Sequence, residues 1–213
     1  MGEVLGMGET RIPVIETDRL ILRGPTEGDA EAWAAFLGDP DDFRYMPWKI
    51  SGETTTQRAT RIVDGLRHGW ETQPPSSMGW VCTLKSDGHL IGLGGVDQVE
   101  DANEGEIGYR FGKPFWGQGY AIEAARAMTH FAFENTQWAR IVAYVVRENT
   151  PSVRLLERLG MTHEQDVDYR ELMGNPTDIQ ITSWDAALYA IARDDFSPGE
   201  APYSVRGRTA DRT

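Results

Sequence analysis

Between Glu106 and Phe133 the chain reads EIGYRFGKPFWGQGYAIEAARAMTHFAF, and the chemistry of this stretch begins with its glycines. Ile107, Tyr109 and Phe111 alternate as one face of a strand. Gly112, Pro114, Gly117 and Gly119 then break it. From Tyr120 the period becomes helical, with Ala121, Ala124, Ala125, Met128, Phe131 and Ala132 on one stripe. A strand that turns through glycines into a helix aims several backbone N–H groups at one point, in front of the positive end of the helix dipole. Such a point binds phosphate. The G-x-x-x-x-G-K-[ST] of a P-loop does not occur. A dinucleotide fold would need a further glycine where Ile122 stands. It would also need an acidic strand end about twenty residues on, where Glu134 and Asn135 end a helix.

A second stretch, RIVAYVVRENTPSVRLLERLGM, predicts a buried strand over Ile141–Val146, a polar break and a short helix closing at Gly160. Asn149 or Thr150 suits the cap of that helix, Pro151 its first position and Gly160 its end. The turn FWGQGYAIEA resembles motif A of the GNAT acyltransferase superfamily. The pattern N-x-x-S-x-x-x-L-x-x-L-G-M from Asn149 resembles motif B, in the same order and at the expected spacing. Near the N-terminus, ETDRLILRGPTEGDAEAWAAF resembles the first strand and helix of the Rim-type branch, which acetylates ribosomal-protein N-termini. The likeness covers roughly Ile15 to Phe196.

The resemblance implies an α/β, GNAT-like fold: a mixed, mostly antiparallel sheet of about six or seven strands flanked by about four helices. It implies an acetyl-CoA-dependent N-acetyltransferase that uses acetyl-CoA as co-substrate and no metal. The acceptor is a primary amine, a protein or peptide N-terminal α-amine ahead of a small amine or antibiotic, and the protein is a monomer or homodimer. A non-catalytic acyl-CoA-binding or regulatory module on the same fold stays open. In the family the motif A loop holds the pyrophosphate, which assigns cofactor contacts to Trp116, Gly117, Gln118, Gly119, Tyr120 and Ala121, while Asn149 meets the pantetheine amides. A backbone N–H near Tyr109 or Phe111 would stabilise the oxyanion.

Acyl transfer needs an uncharged amine, and an α-amine of pKa about 8 needs less help than a lysine at about 10.4. Glu106, opening the central strand, is the candidate base, acting through a water. Asp97 and Glu104 share its sequence context, and a solvated strand-end carboxylate is the other reading of Glu106. For the leaving thiolate, many superfamily members carry a Tyr seven residues after the motif B Asn; here that residue is Leu156. The Rim-type branch has a Ser three residues after the Asn, here Ser152. Ser152 either donates a hydrogen bond to the thiolate, adjoining the cofactor, or caps the first turn of its helix. Tyr144 is the reserve acid. Three residues before Gly117, where Arg or Gln is frequent, stands Pro114 beside Lys113, read as solvated, which leaves the pyrophosphate to the backbone.

His68, His89, His130 and His163 show no metal-ligand spacing, and His130 falls off the apolar stripe of its helix, on a solvated face. Cys82, in a strand, reads as a small core residue.

Other elements must hold these groups. Arg19–Arg23 predicts the first strand, and Thr26 with Asp29 a capping box for a helix striped by Ala30, Trp33, Ala34 and Leu37. Tyr45, Met46 and Trp48 lie in a loop read as packing that overlaps the acceptor entrance. Ala59, Ile62, Val63, Leu66 and Trp70 stripe a second helix over 54–70. Gly79–Lys85 and Leu90–Gln98 predict paired strands about the turn SDGH. GLGG in the second of these marks a bulge or close backbone approach and takes no ligand. Residues 101–105 turn into the central strand. Thr162–Arg170 and Ser183–Ile191 predict two late strands around the irregular loop ELMGNPTD.

The 213 residues, 40% hydrophobic, suit one domain over 15–196 between a flexible leader (1–14) and a flexible tail (197–213). A single cysteine excludes an intramolecular disulfide framework and points to a reducing compartment. With no signal peptide and no apolar run of about 18 residues, the expectation is cytoplasmic, with no membrane partner. A net charge of −12 argues against a nucleic-acid partner and suits solubility or a cationic acceptor.

Overall fold

The computed structural model describes residues 12–37, 44–45, 48–49, 53–72, 75–99, 103–174, 179–181, 183–197 and 203–206. Most of the expected leader, and Met46, lie outside them. In chain order, β1 (Val14–Glu16) and β2 (Leu20–Arg23) lead into α1 (Asp29–Ala34), β3 (Trp48–Lys49) and α2 (Thr55–His68). A meander of β4 (Ser77–Leu84), β5 (Leu90–Gln98) and β6 (Glu104–Phe111) follows, and β6 passes through the glycine turn into α3 (Tyr120–Asn135). Then come β7 (Arg140–Val146), α4 (Thr150–Leu159), β8 (Thr162–Asp168) and α5 (Tyr169–Leu172). The chain ends in β9 (Ile179–Gln180), β10 (Asp185–Ala192) and β11 (Ser204–Arg206).

Nine of these strands form one sheet in the order β11-β1-β2-β4-β5-β6-β7-β10-β8, while β3 and β9 pair separately. Every neighbouring pair in the large sheet is antiparallel except β6 and β7. Successive side chains of a strand leave opposite faces. Trp80 and Cys82 therefore enter the larger core with α3 and α4, and Val81 enters a smaller one with α1 and α2. α3 is buried on most sides, its alanines allowing close approach, and Met128 and Phe131 fill the sheet side. Phe131 meets Trp80 edge-on at 5.3 Å. The C-terminal carbonyls beyond it are gathered by Arg193, whose guanidinium donates to Phe133, Thr136 and Trp138.

The mixed, mostly antiparallel α/β class is as expected; the counts differ. The strand number exceeds seven because β1 and β11 are three residues each, too short to show alternation in sequence. β11 lies within the expected tail and pairs with β1, and Tyr203 donates to Glu134. That returning segment also corrects His130, whose ring packs 5.1 Å from Tyr203 and 6.0 Å from Phe196 instead of facing solvent. The irregular loop after β8 begins with the short helix α5. Glu104 and Gly105, expected to lie in a turn, already belong to β6.

The capping box at Thr26 is half made. The Asp29 carboxylate accepts from the Thr26 N–H and hydroxyl, but the helix starts at Asp29 and no side chain caps it. Arg23 holds the buried Asp29 in a two-bond fork and lowers its pKa against the opposing effect of burial. The complete box belongs to α2, through Thr54 and Gln57.

Candidate active site

Gly117 and Gly119 hold φ of +73° and +81°, conformations that favour glycine. A Cβ on Gly117 would meet nothing within 4 Å, so that side of the turn opens outward. Gly119 caps α3 with backbone only, which leaves the first-turn N–H groups to an anion. The residues present thus fit a pyrophosphate.

Arg19, between β1 and β2, braces the turn from behind. Its Nη1 donates to the Gln118 carbonyl at 2.9 Å and its Nε to Glu123 at 2.7 Å. The guanidinium also lies 4.4 Å from the Tyr120 ring centroid. Glu123 accepts in addition from the Thr17 hydroxyl at 2.6 Å and the Arg19 N–H at 2.8 Å.

The turn opens on a cavity of about 380 Å³. Tyr109, Phe111, Trp116, Gly117, Gly119, Tyr120 and Ala121 line one side, with Asn149 and Ser152 on the other. Gln118, expected there, is not a lining residue: its side-chain amide donates to the Pro114 carbonyl and shapes the turn instead. Tyr45, Arg110, Arg154 and Arg158 line the cavity too.

α4 begins at Thr150, so Pro151 takes its second position instead of the first. Asn149 is the cap, its Oδ1 accepting the Ser152 N–H at 3.3 Å. Ser152 keeps its hydroxyl for another partner, the Tyr109 hydroxyl at 2.9 Å. Burial pushes the Tyr109 phenol up to about 12. Leu156, at the family's tyrosine position, points into the larger core and is 1% exposed.

Ile107 and Phe111 face α3, so Glu106 faces the other side of the sheet. Its register partner is Asp97, and Asp97 accepts from the Ser77 hydroxyl. Burial first, and the Asp97 charge second, lift the Glu106 carboxyl to about 7. Among the described residues no hydrogen bond or ion pair holds that carboxylate, whereas Glu104 is paired with Arg140 at 2.5 Å. Tyr144 lies on this same face in a cluster with Val142 and Leu188, and its ring meets Tyr169 at 6.3 Å. Alternation along β7 therefore sets it on the opposite face of the sheet from Ser152, so the two thiolate donors expected from sequence do not come together.

β6 and β7 pair only from Glu104–Arg140 to Glu106–Val142, although both run on to Phe111 and Val146. The Gly112 N–H bonds Ile91 of β5. Counting back by two, the Arg110 and Gly108 N–H groups also face β5, so those of the intervening Phe111 and Tyr109 face β7, where among the described residues no strand pairs with them. Tyr109 and Phe111, on the unpaired stretch of β6, line the cavity, and Glu106 is the last residue of β6 that pairs with β7.

A sequence profile described as "Acetyltransferase (GNAT) domain" matches residues 19–162. The chain belongs to the GNAT acetyltransferase family. The N-acetyltransferase p20 of Bacillus licheniformis, itself uncharacterized, is 30% identical over 170 residues, 78% of this chain and 93% of the relative. A GNAT-family acetyltransferase from Bacillus anthracis, 26% identical, superposes with a TM-score of 0.67 over 85% of this chain and 99% of its own. RimJ of Mycobacterium smegmatis, solved with CoA-disulfide, shares the fold at 24% identity and a TM-score of 0.67, covering 85% of this chain and 86% of RimJ.

Sequence reasoning about this acetyltransferase missed the Arg19–Glu123 brace and the Tyr109–Ser152 contact, which join residues 104 and 43 positions apart. The Asp97–Glu106 pairing was missed by one residue of register: the expected strand ends set Gln98 opposite Glu106, whereas Gln98 pairs with Gly105. Cys82 is the expected core thiol, its pKa raised by complete burial. No helix among the described residues is long and apolar enough to cross a membrane.

Proposed function

We propose that this acetyltransferase transfers the acetyl group of acetyl-CoA to a primary amine, the α-amine of a protein or peptide N-terminus, in the cytoplasm. The observation that carries this reading is the β6–β7 gap, with a phosphate cradle on one face and an unpaired carboxylate of pKa about 7 at its closed end. Bound acetyl-CoA supplies an activated thioester. Gly117, Gly119 and the first turn of α3 hold its pyrophosphate, and the Tyr109 and Phe111 N–H groups stabilise the developing oxyanion. Glu106 takes the amine proton through a water. A base near 7 is matched to an α-amine of about 8 and poorly matched to a lysine of about 10.4. Ser152 donates a hydrogen bond to the departing sulfur, and Tyr144 and Tyr169 wall the acceptor side.

The test is a peptide with a free Ala or Ser N-terminus and basic residues behind it, offered with acetyl-CoA. It is acetylated on the α-amine, and blocking that amine while leaving lysines free abolishes turnover. The net charge of −12 steers such a cation, so kcat/KM falls as salt rises. Efficient turnover of the blocked peptide would move the acceptor to lysine side chains, and turnover of polyamines alone would move it to small amines.

A further inference from the structure

We propose that Tyr109 is a positioning residue for the leaving thiolate, acting through the hydroxyl of Ser152. This rests on the acetyl-CoA reading above and adds a residue to it. The two hydroxyls lie 2.9 Å apart and both line the cavity, one reaching from β6 and the other from α4. Each hydroxyl has a single proton to donate. A phenol is the stronger acid and an alcohol oxygen the better acceptor, so the favoured direction is Tyr109 O–H to Ser152 Oγ. That leaves the Ser152 proton free to point into the cavity.

Three features keep the pair in this arrangement. The Ser152 N–H is already taken by Asn149, so the first turn of α4 makes no demand on the serine hydroxyl. Gly94 of β5 lies under Tyr109; a Cβ there would stand 3.1 Å from the tyrosine Cα and Cβ, so only glycine lets β6 sit this close. Burial keeps the phenol protonated across the working range. Donation by Tyr109 polarises the Ser152 O–H and strengthens the bond it gives.

In the reaction the carbon–sulfur bond breaks with its electron pair on sulfur, and the acetyl carbon keeps its new bond to nitrogen. The proton shed by nitrogen goes to Glu106. The Ser152 proton stays on oxygen and is shared with the sulfur, which leaves as thiolate and is protonated from solvent after release.

Free CoA alone tests this without any acceptor. A hydrogen bond that favours the charged form lowers a pKa. In the wild-type complex the CoA thiol, followed by thiolate ultraviolet absorbance, titrates below the roughly 8.5 of an ordinary thiol. Tyr109→Phe raises that value by about one unit. Arg110, Arg154 and Arg158 also line the cavity and favour a thiolate, but they are common to both proteins, so the difference reports the hydroxyl chain. Ser152→Ala gives a similar rise, and the double variant adds nothing further. A bound thiol with the same pKa in wild type and Tyr109→Phe overturns the proposal, as does a rise in Ser152→Ala alone. Failure of the wild type to bind CoA would instead strike the acetyl-CoA reading itself.

Discussion

Asp97 and Glu106 stand opposite each other on β5 and β6, a like-charge pair in one strip of the sheet. Directly opposed residues have Cβ atoms about 4.5–5.5 Å apart, so each carboxylate raises the cost of ionising the other. Their partners decide the order. Burial raises Asp97 as well, but the Ser77 hydroxyl opposes that rise by favouring its charge, and neighbouring Glu104 has Arg140. Among the described residues Glu106 has no such partner, and it is the group lifted to about 7. The strand-end carboxylates that look alike in sequence are thus separated into one ion-paired, one hydrogen-bonded and one poised near neutrality.

Asp97→Asn tests that order. It removes the second cause of the Glu106 shift and leaves burial, so the pKa falls part of the way from about 7 toward 4.5. The base works deprotonated, and kcat/KM therefore rises earlier as pH increases. The lower ascending limb moves down by about half a unit to one unit, while the limb near 8 set by an α-amine stays. A lower limb that does not move would assign it to another group.

The same shift has a consequence for stability. A carboxyl whose folded pKa is raised stabilises the fold below its unfolded pKa, and that contribution is lost as pH rises through the folded value. For Glu106 the window runs from about 4.5 to about 7. Glu106→Gln has no charge to bury, so its melting temperature relative to wild type climbs between pH 5 and pH 8. It also loses turnover, most strongly above about pH 7, where the wild-type carboxylate is ionised and able to act as a base. A constant difference in melting temperature across that range would mean that the carboxylate is not buried at a cost.

Gly119 and Arg19 separate the mouth of the cradle from its support. Gly119→Val places a branched side chain at φ +81° and pushes on Arg19 Nη2, 3.3 Å from the added Cβ. Acetyl-CoA affinity falls severely, by about a hundredfold or more, as backbone approach to the pyrophosphate is lost. Arg19→Ala leaves the mouth untouched and frees the loop. Its side chain is 46% exposed, so screening limits the loss to about three- to tenfold at low salt. Calorimetry with acetyl-CoA distinguishes the two, and equal affinity for wild type and Gly119→Val would remove the phosphate role of this turn.

What could be read from sequence follows the range of the interactions. The cradle, the capped α4 and the hairpin of β4 and β5 are local, and their glycines, Asn149 and alternating residues announce them. The brace from Arg19, the contact from Tyr109 to Ser152 and the return of Tyr203 onto Glu134 join distant segments, and no periodicity records them. Tyr144 shows the other limit. Its residue type suits proton donation, but the face it occupies depends on the register of β7, which sequence leaves open by one residue.

Leu156 closes the question of the absent tyrosine. Carrying over the family pattern would suggest that Leu156→Tyr restores a thiolate donor. The side chain, however, points into the core shared with α3 and is 1% exposed, while the cavity is lined by its neighbour Leu155. A tyrosine there overpacks the core by about 1–3 kcal/mol, and its hydroxyl is buried without a partner. At roughly 2–4 °C per kcal/mol for a chain of this size, the melting temperature falls by several degrees. Turnover does not rise. In a Ser152→Ala background, Leu156→Tyr leaves the lost rate unrecovered, because the new hydroxyl lies on the core side of α4. Recovery of the rate in that double variant would show that α4 rotates its side chains between core and cavity, and would return the donor role to the family position.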